Sequence, residues 1–292
     1  MTKIISLYGP TAVGKTTCAI EIAQQLGCEI VSADSRQFYK EMTIGTAVPS
    51  NEELMKVKHN LVHSHSIMDE PVTSGVFERE ALEIINNAKS DYIVVVGGSG
   101  LYIKALLYGL DSLPKDDELR ETLKEKTLEE LLEVIKANDP LYIEMVDTQN
   151  RRRVERAVEV IMLTGKPYSA QRTGGNAHRN LNFVEVVLDR PRDVLYDRIN
   201  QRVDIMMAEG LENEARQLYD YRERQALHTV GYREMFDYFD GLTSLDEAVE
   251  LIKRNSRRYA KRQLTWARAL DGAVWMNPDN TNQIIEYVTK SL

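Results

Sequence analysis

Gly9-Pro10-Thr11-Ala12-Val13-Gly14-Lys15-Thr16 is the stretch on which the fold turns. It matches G-x-x-x-x-G-K-[ST] in a context that gives the pattern physical meaning. The short apolar run Ile4–Leu7 precedes it, and the helical spacing Thr16, Ile20, Ala23, Leu26 follows. Glycines let the backbone turn its N–H groups toward one centre, and the helix start adds positive potential. Lys15 neutralises phosphate oxygen, and the Thr16 hydroxyl can reach Mg²⁺. The expected ligand is a di- or triphosphate held by Gly9 to Thr16, with Mg²⁺ as cofactor and Thr16 as its protein ligand.

Working outward, Glu29–Ser32 is a second apolar run that ends at Asp34. Tyr92–Val96 is a β-branched third run that closes on Gly97-Gly98-Ser99-Gly100. Strands alternating with helices predict an α/β fold, a P-loop NTPase-like parallel sheet flanked by helices. From Pro114 the pattern changes to charged helix, with Leu119, Leu123, Leu128, Leu131, Leu132 and Ile135 on apolar spacing and a break at Asp139-Pro140. Strand character returns over Leu181–Leu188, after a loop expected at Gly174-Gly175-Asn176, and helices are expected from there to the end. The predicted organisation is a catalytic core from 1–112 and 180–292, with a helical insertion at 113–179. No internal repeat or low-complexity segment is present.

The chain of 292 residues is 43% hydrophobic, enough to bury a substantial core. No apolar run approaches the roughly 20 residues of a membrane span, and the first residues lack a signal-peptide layout. A cytoplasmic, monomeric protein is expected. Cys18 and Cys28 have no metal-ligand spacing and read as buried thiols. A net charge of −8 argues against nonspecific adhesion to nucleic acid. The charge is segregated, however: acids crowd Asp111 to Glu133, while Lys253 to Arg268 is basic with no acid at all.

A phosphate loop does not say whether phosphate is transferred, hydrolysed or held as a leaving group. In P-loop NTPases a second strand usually ends in an aspartate for Mg²⁺. Here Val94-Val95-Val96 runs into glycines, which suit close approach of another chain or a ligand to the backbone and weaken an ATPase reading. Asp34 lies at the carboxyl end of a predicted strand, where parallel sheets place their ligand crevice. It can take a proton from a nucleophile or merely cap the next helix, and the residues alone leave both open.

Eight motifs then occur in one order: G-P-T-A-V-G-K-T from Gly9, S-A-D-S-R-Q-F-Y from Ser32, I-G-T-A from Ile44, G-G-S-G-L-Y from Gly97, N-R-R-R-V-E-R-A from Asn150, R-V-D-x-M-x-x-x-G-L from Arg202, V-G-Y-R-E from Val230 and Y-A-K-R-Q-L-T-W from Tyr259. Over nearly its whole length the sequence resembles the tRNA dimethylallyltransferase (tRNA isopentenyltransferase) family. The resemblance implies transfer of a five-carbon group from dimethylallyl diphosphate to the exocyclic amine of the adenosine 3′ of the anticodon. Asp34 would take a proton or a hydrogen bond from the attacking amine, the phosphate loop with Mg²⁺ would stabilise departing diphosphate, and Arg202 would be a second cation for it. Ser99 stands where the family usually has threonine, keeps the hydroxyl, and is carried over as a contact to adenine or diphosphate.

The partner implied is the tRNA anticodon stem-loop. Arg254, Arg257, Arg258, Lys261 and Arg262 share one helix face, and such a stripe of like charge needs a negative acceptor. Gln263 neighbours the stripe, and Trp266 reads as core. Arg151, Arg152, Arg153 and Arg156 form a second cluster in which the resemblance favours Arg153 and Arg156 for tRNA. Ser35, Arg36 and Gln37 suit readout of an unstacked base, and Gly231, Tyr232 and Arg233 are carried over from their motif. His59, His63 and His65 lack the partners of a metal site and read as structural. A small-molecule kinase or an adenine-nucleotide prenyltransferase is the alternative enzyme, disfavoured by the arginine clusters. A noncatalytic RNA-binding module leaves the phosphate loop unexplained.

Overall fold

The computed structural model describes residues 2–111, 113–172 and 179–292. The chain divides into a unit of Met1–Leu107 with Asn180–Leu292 and a unit of Tyr108–Arg179. The second unit begins at Tyr108 rather than at 113, and the loop expected at Gly174-Gly175-Asn176 lies outside the described residues.

The larger unit is built on a parallel sheet of β1 (Lys3–Tyr8), β2 (Glu29–Ser32), β3 (His59–Asn60), β4 (Tyr92–Gly97), β5 (Phe183–Leu188) and β6 (Val274–Met276), in the order β3-β2-β4-β1-β5-β6. The central strands are continuous apolar runs because helices cover both faces. Ile4, Ile5, Leu7, Ile93, Val94 and Val95 are fully buried. β3 and β6 were not expected from the sequence. With two and three residues they carry no readable period, and they exist because neighbouring strands offer paired edges. β6 also corrects the expectation of helices alone after Leu188.

The phosphate-loop helix, Lys15–Leu26, ends on Gly27 in the left-handed conformation. The Leu245–Ala267 helix starts at a Ser244/Glu247 capping box and carries the predicted basic stripe. Among the described residues no helix is long and apolar enough to cross a membrane.

The smaller unit has helices at Asp117–Lys124, Leu128–Asn138, Pro140–Met145, Arg151–Thr164 and Tyr168–Gln171. Leu123, Leu131, Ile135, Tyr142, Val154 and Val158 form its core. The break at Asp139-Pro140 has a mechanism: buried Asp139 caps the next helix at Tyr142 N and accepts from both Ser169 N and Ser169 Oγ.

Candidate active site

The phosphate loop leaves β1 at its carboxyl end and turns through Ala12 (φ 62) and Gly14 (φ 111), both left-handed. Its outward carbonyls are held from behind. Arg198 Nε donates to Ala12 O at 2.8 Å and Arg190 Nε to Val13 O at 2.6 Å, while the Arg190 guanidinium also grips Asp279. From the other side Thr11 N donates to Gln263 Oε1 at 2.9 Å. Thr11, Ala12, Gly14, Lys15 and Thr16 line a cavity of about 1440 Å³. Gly9, Pro10 and Val13 are buried behind it and shape the loop rather than line it.

Lys15 Nζ donates to the loop's own Pro10 O at 2.7 Å. Burial pushes its ammonium down to about 8; Asp34 opposes this shift and Arg202 adds to it. The same charges act on Arg202, whose guanidinium burial lowers and Asp34 raises. Lys15, Asp34 and Arg202 thus form one electrostatic group, all on the cavity wall.

Asp34 follows β2 on a turn set by several specific contacts. A Cβ on Gly97 would lie 2.1 Å from Ala33 O, so only glycine lets the end of β4 meet this backbone. Ser35 N donates to Ser99 Oγ at 2.9 Å, and Arg36 N to Asp34 Oδ1 at 3.0 Å. Asp34 Oδ2 accepts from no described residue. Arg36 reaches the carbonyls of Gln225 and Ala226, and Gln37 Nε2 those of Thr46 and Ala47, while Ser32 Oγ donates to Gln37 Oε1. Ser99 is half-buried, and its Oγ holds the Asp34 turn by accepting from Ser35 N, which leaves its own O–H to donate. The glycines beside it meet the protein's own groups: a Cβ on Gly98 would strike the Gln263 amide and one on Gly100 the Trp266 ring. Trp266 packs against Tyr8 with the two rings tilted and their centroids 4.8 Å apart.

The predicted arginine stripe is narrower than expected. Arg254, Arg258 and Arg262, spaced four apart, line the cavity, and Lys261 is exposed. Arg257 turns to Asn200, its guanidinium donating to Oδ1 at 2.5 Å. Gln263 is buried at the back of the cavity wall and is engaged first by the protein's own backbone, with Oε1 taking Thr11 N and Nε2 donating to Gly98 O at 2.9 Å, so it braces the phosphate loop where a tRNA contact was expected. Tyr232 is also corrected, being fully buried with its hydroxyl on Glu214 at 2.6 Å. Gly231 N is taken by Glu234, whereas Arg233 stays exposed on the cavity wall.

In the helical unit Arg152 and Arg153 are exposed. Arg156 is bound to Glu159 and to the carbonyls of Leu113 and Pro114, and Arg151 to Glu155 and the end of the Asp117–Lys124 helix. Arg156 is therefore an internal clamp, a correction to its expected tRNA contact. His59 Nδ1 bonds with Val57 O, His65 pairs with Glu80, and His63 meets Thr43 on the cavity wall.

Two residues of the site escaped the sequence reading. Arg198 precedes Arg202 by one helical turn, a spacing that was legible on the Arg192–Glu209 helix. Tyr259 lines the cavity with its phenol pushed up to about 12, by burial and then by Asp34.

A family model described as IPP transferase matches residues 37–270. The chain belongs to the IPP transferase family. This IPP transferase family member is 44% identical to the tRNA dimethylallyltransferase of Flavobacterium johnsoniae, a match covering 100% of this chain and 99% of that protein. It is 44% identical to the Cytophaga hutchinsonii tRNA dimethylallyltransferase, over 99% of this chain and 97% of that one. Among solved structures, the full-length tRNA isopentenylpyrophosphate transferase of Bacillus halodurans superposes with a TM-score of 0.75 at 35% identity, covering 100% and 97% of the two chains. A eukaryotic dimethylallyltransferase described as acting on tRNA shares the fold, with a TM-score of 0.82 at 24% identity over 97% of this chain and 75% of that one.

Proposed function

We propose that the protein transfers a dimethylallyl group from dimethylallyl diphosphate to the exocyclic amine of the adenosine 3′-adjacent to the anticodon (position 37) of tRNA, giving N6-isopentenyladenosine. One observation carries this reading. The phosphate loop with Lys15, the carboxylate of Asp34 and the guanidinium of Arg202 share one cavity wall with a row of arginines. The names of the full-length relatives support the donor group and the acceptor class.

In this reading the allylic C–O bond breaks and its electron pair leaves with the diphosphate. The amine nitrogen forms the new C–N bond, and its proton passes to Asp34 Oδ2, the carboxylate oxygen left without a described partner. Loop N–H groups, Lys15 and Arg202 meet the charge that gathers on the leaving oxygen. Ser99 acts as a positioning residue through Ser35.

Thr16 lines the cavity, and among the described residues no group of three His, Cys, Asp or Glu side chains is placed to hold a metal. The single Thr16 hydroxyl fits Mg²⁺, which binds largely through phosphate oxygens and water. When bound, the ion supplies further neutralisation of the diphosphate. The exposed Arg233, Arg254, Arg258 and Arg262, with Arg153 on the helical unit, offer contacts for tRNA phosphate, and Tyr259 beside Asp34 offers a ring for an unstacked base.

The test is incubation with Mg²⁺, dimethylallyl diphosphate and unmodified tRNA, followed by nucleoside mass spectrometry. Adenosine carrying a five-carbon adduct is the expected product. Unmodified tRNA alongside prenylated or phosphorylated free nucleotide would move the assignment to the nucleotide prenyltransferase or the kinase.

A further inference from the structure

Glu214 stands outside every motif described above, yet its carboxylate gathers four hydrogen bonds at the edge of the cavity. Oε2 accepts from Thr43 N at 2.9 Å and from Ile44 N at 2.8 Å. Oε1 accepts from Gly45 N at 2.9 Å and from Tyr232 Oη at 2.6 Å. Three successive backbone N–H groups converging on one anion form a nest, which holds its segment in a single curvature only while the anion is present. Tyr232 closes the arrangement from above. Its ring lies so close to Gly45 that a Cβ there would come within 2.7 Å, and burial together with Glu214 holds its phenol well above the ordinary tyrosine range.

The segment held in this way continues into the reacting groups. Residues 43–48 line the cavity, and the carbonyls of Thr46 and Ala47 accept from Gln37 Nε2 at 3.3 and 3.0 Å. Ala47 O also receives the Arg202 guanidinium at 3.4 Å. A continuous run of hydrogen bonds therefore leads from Glu214 through the 43–47 backbone to Arg202, and through Gln37 to the turn of Asp34.

We infer that Glu214 is a positioning residue for the transfer reaction: with Tyr232 it fixes the 43–47 wall, and through that wall it sets Arg202 and the Asp34 turn relative to the phosphate loop. The inference rests on the transferase reading proposed above. Among the described residues no hydrogen bond of Glu214 or Tyr232 reaches the phosphate loop itself, so diphosphate affinity should fall only by the share that Arg202 supplies, while turnover, which also needs the Asp34 turn, should fall further.

The experiment compares wild type, Glu214→Gln and Tyr232→Phe in transfer to tRNA, with active molecules counted and the temperature kept well below each variant's melting point. Binding of inorganic pyrophosphate is measured by calorimetry. Glu214→Gln removes the charge and sets an amide N–H₂ against backbone donors, and kcat should drop about tenfold or more. Tyr232→Phe removes one of the four bonds and should lower kcat several-fold, and in both variants pyrophosphate affinity should fall by a smaller factor than kcat. Amide exchange of Thr43, Ile44 and Gly45 should quicken in Glu214→Gln. Wild-type kcat in folded Glu214→Gln would overturn the inference whatever the melting point does. Should that variant not fold, wild-type kcat in Tyr232→Phe would overturn it equally. If wild type itself leaves tRNA unmodified, the transferase reading falls first and takes the inference with it.

Discussion

The Nε of Arg198 donates to the carbonyl of Ala12 at 2.8 Å, joining the phosphate loop to a helix 186 positions further along the chain. Ala12 is left-handed (φ 62), a conformation that costs a non-glycine residue about 1 kcal/mol. The bond from Arg198 helps hold that carbonyl turned outward while the guanidinium stays on the cavity wall. Arg198→Gln, which keeps a donor but loses the charge, should weaken inorganic pyrophosphate binding about tenfold in calorimetry. Unchanged affinity would reduce Arg198 to a loop anchor.

Asp34 lines the same cavity as Lys15 and carries one oxygen with no described partner. Asp34→Asn keeps the shape and can still accept the Arg36 N–H, but it cannot take a proton. Single-turnover transfer should slow by about two orders of magnitude or more, with pyrophosphate and tRNA affinities near wild type. Normal turnover would remove Asp34 from proton transfer.

The depressed Lys15 has a pH consequence whose sign follows from the cause. Burial disfavours the ammonium, which loses its proton as pH rises through about 8. A bound diphosphate favours the charged form. Binding should therefore take up a proton near that pH, and affinity should fall as pH rises above it, by up to about tenfold per pH unit. Calorimetry in two buffers of different ionisation enthalpy measures the uptake. Lys15→Met should abolish this component and leave only the ligand's own titration.

Arg254, Arg258 and Arg262 line the cavity together, whereas Arg257 is engaged with Asn200. Replacing the three by glutamine should weaken tRNA binding and reduce the slope of log K against log salt by up to about 2, the value for three phosphate contacts on a single strand. Arg257→Gln should leave that slope near wild type and lower thermal stability instead. The reverse pattern would return the tRNA face to the side of the helix that carries Arg257.

Gly97→Ala would set a methyl group 2.1 Å from Ala33 O, a backbone atom that cannot move without displacing the Asp34 turn. The expected loss is about 3 kcal/mol, read by denaturant unfolding. Transfer should fall further than the unfolded fraction explains. A variant as stable as wild type would mean that the two strand ends are free to separate.

The sequence alone determined the phosphate loop, the central strands, the helical insertion and the helix that carries the arginines. Each rests on local chemistry: glycines and a lysine between a strand and a helix, β-branched runs long enough to be buried on both faces, and charges four residues apart. It also placed Asp34 at a strand end, where a parallel sheet opens its crevice. Tertiary structure decided which polar groups remain available to a ligand. Gln263 and Tyr232 looked like tRNA contacts but are buried, and Arg156 is clamped on Glu159. The paired edge strands His59–Asn60 and Val274–Met276 are too short to carry a period and exist only through their neighbours. A hydrogen-bonding group has one set of partners at a time, and those of Gln263 and Arg198 lie 252 and 186 positions away, beyond the reach of any local pattern.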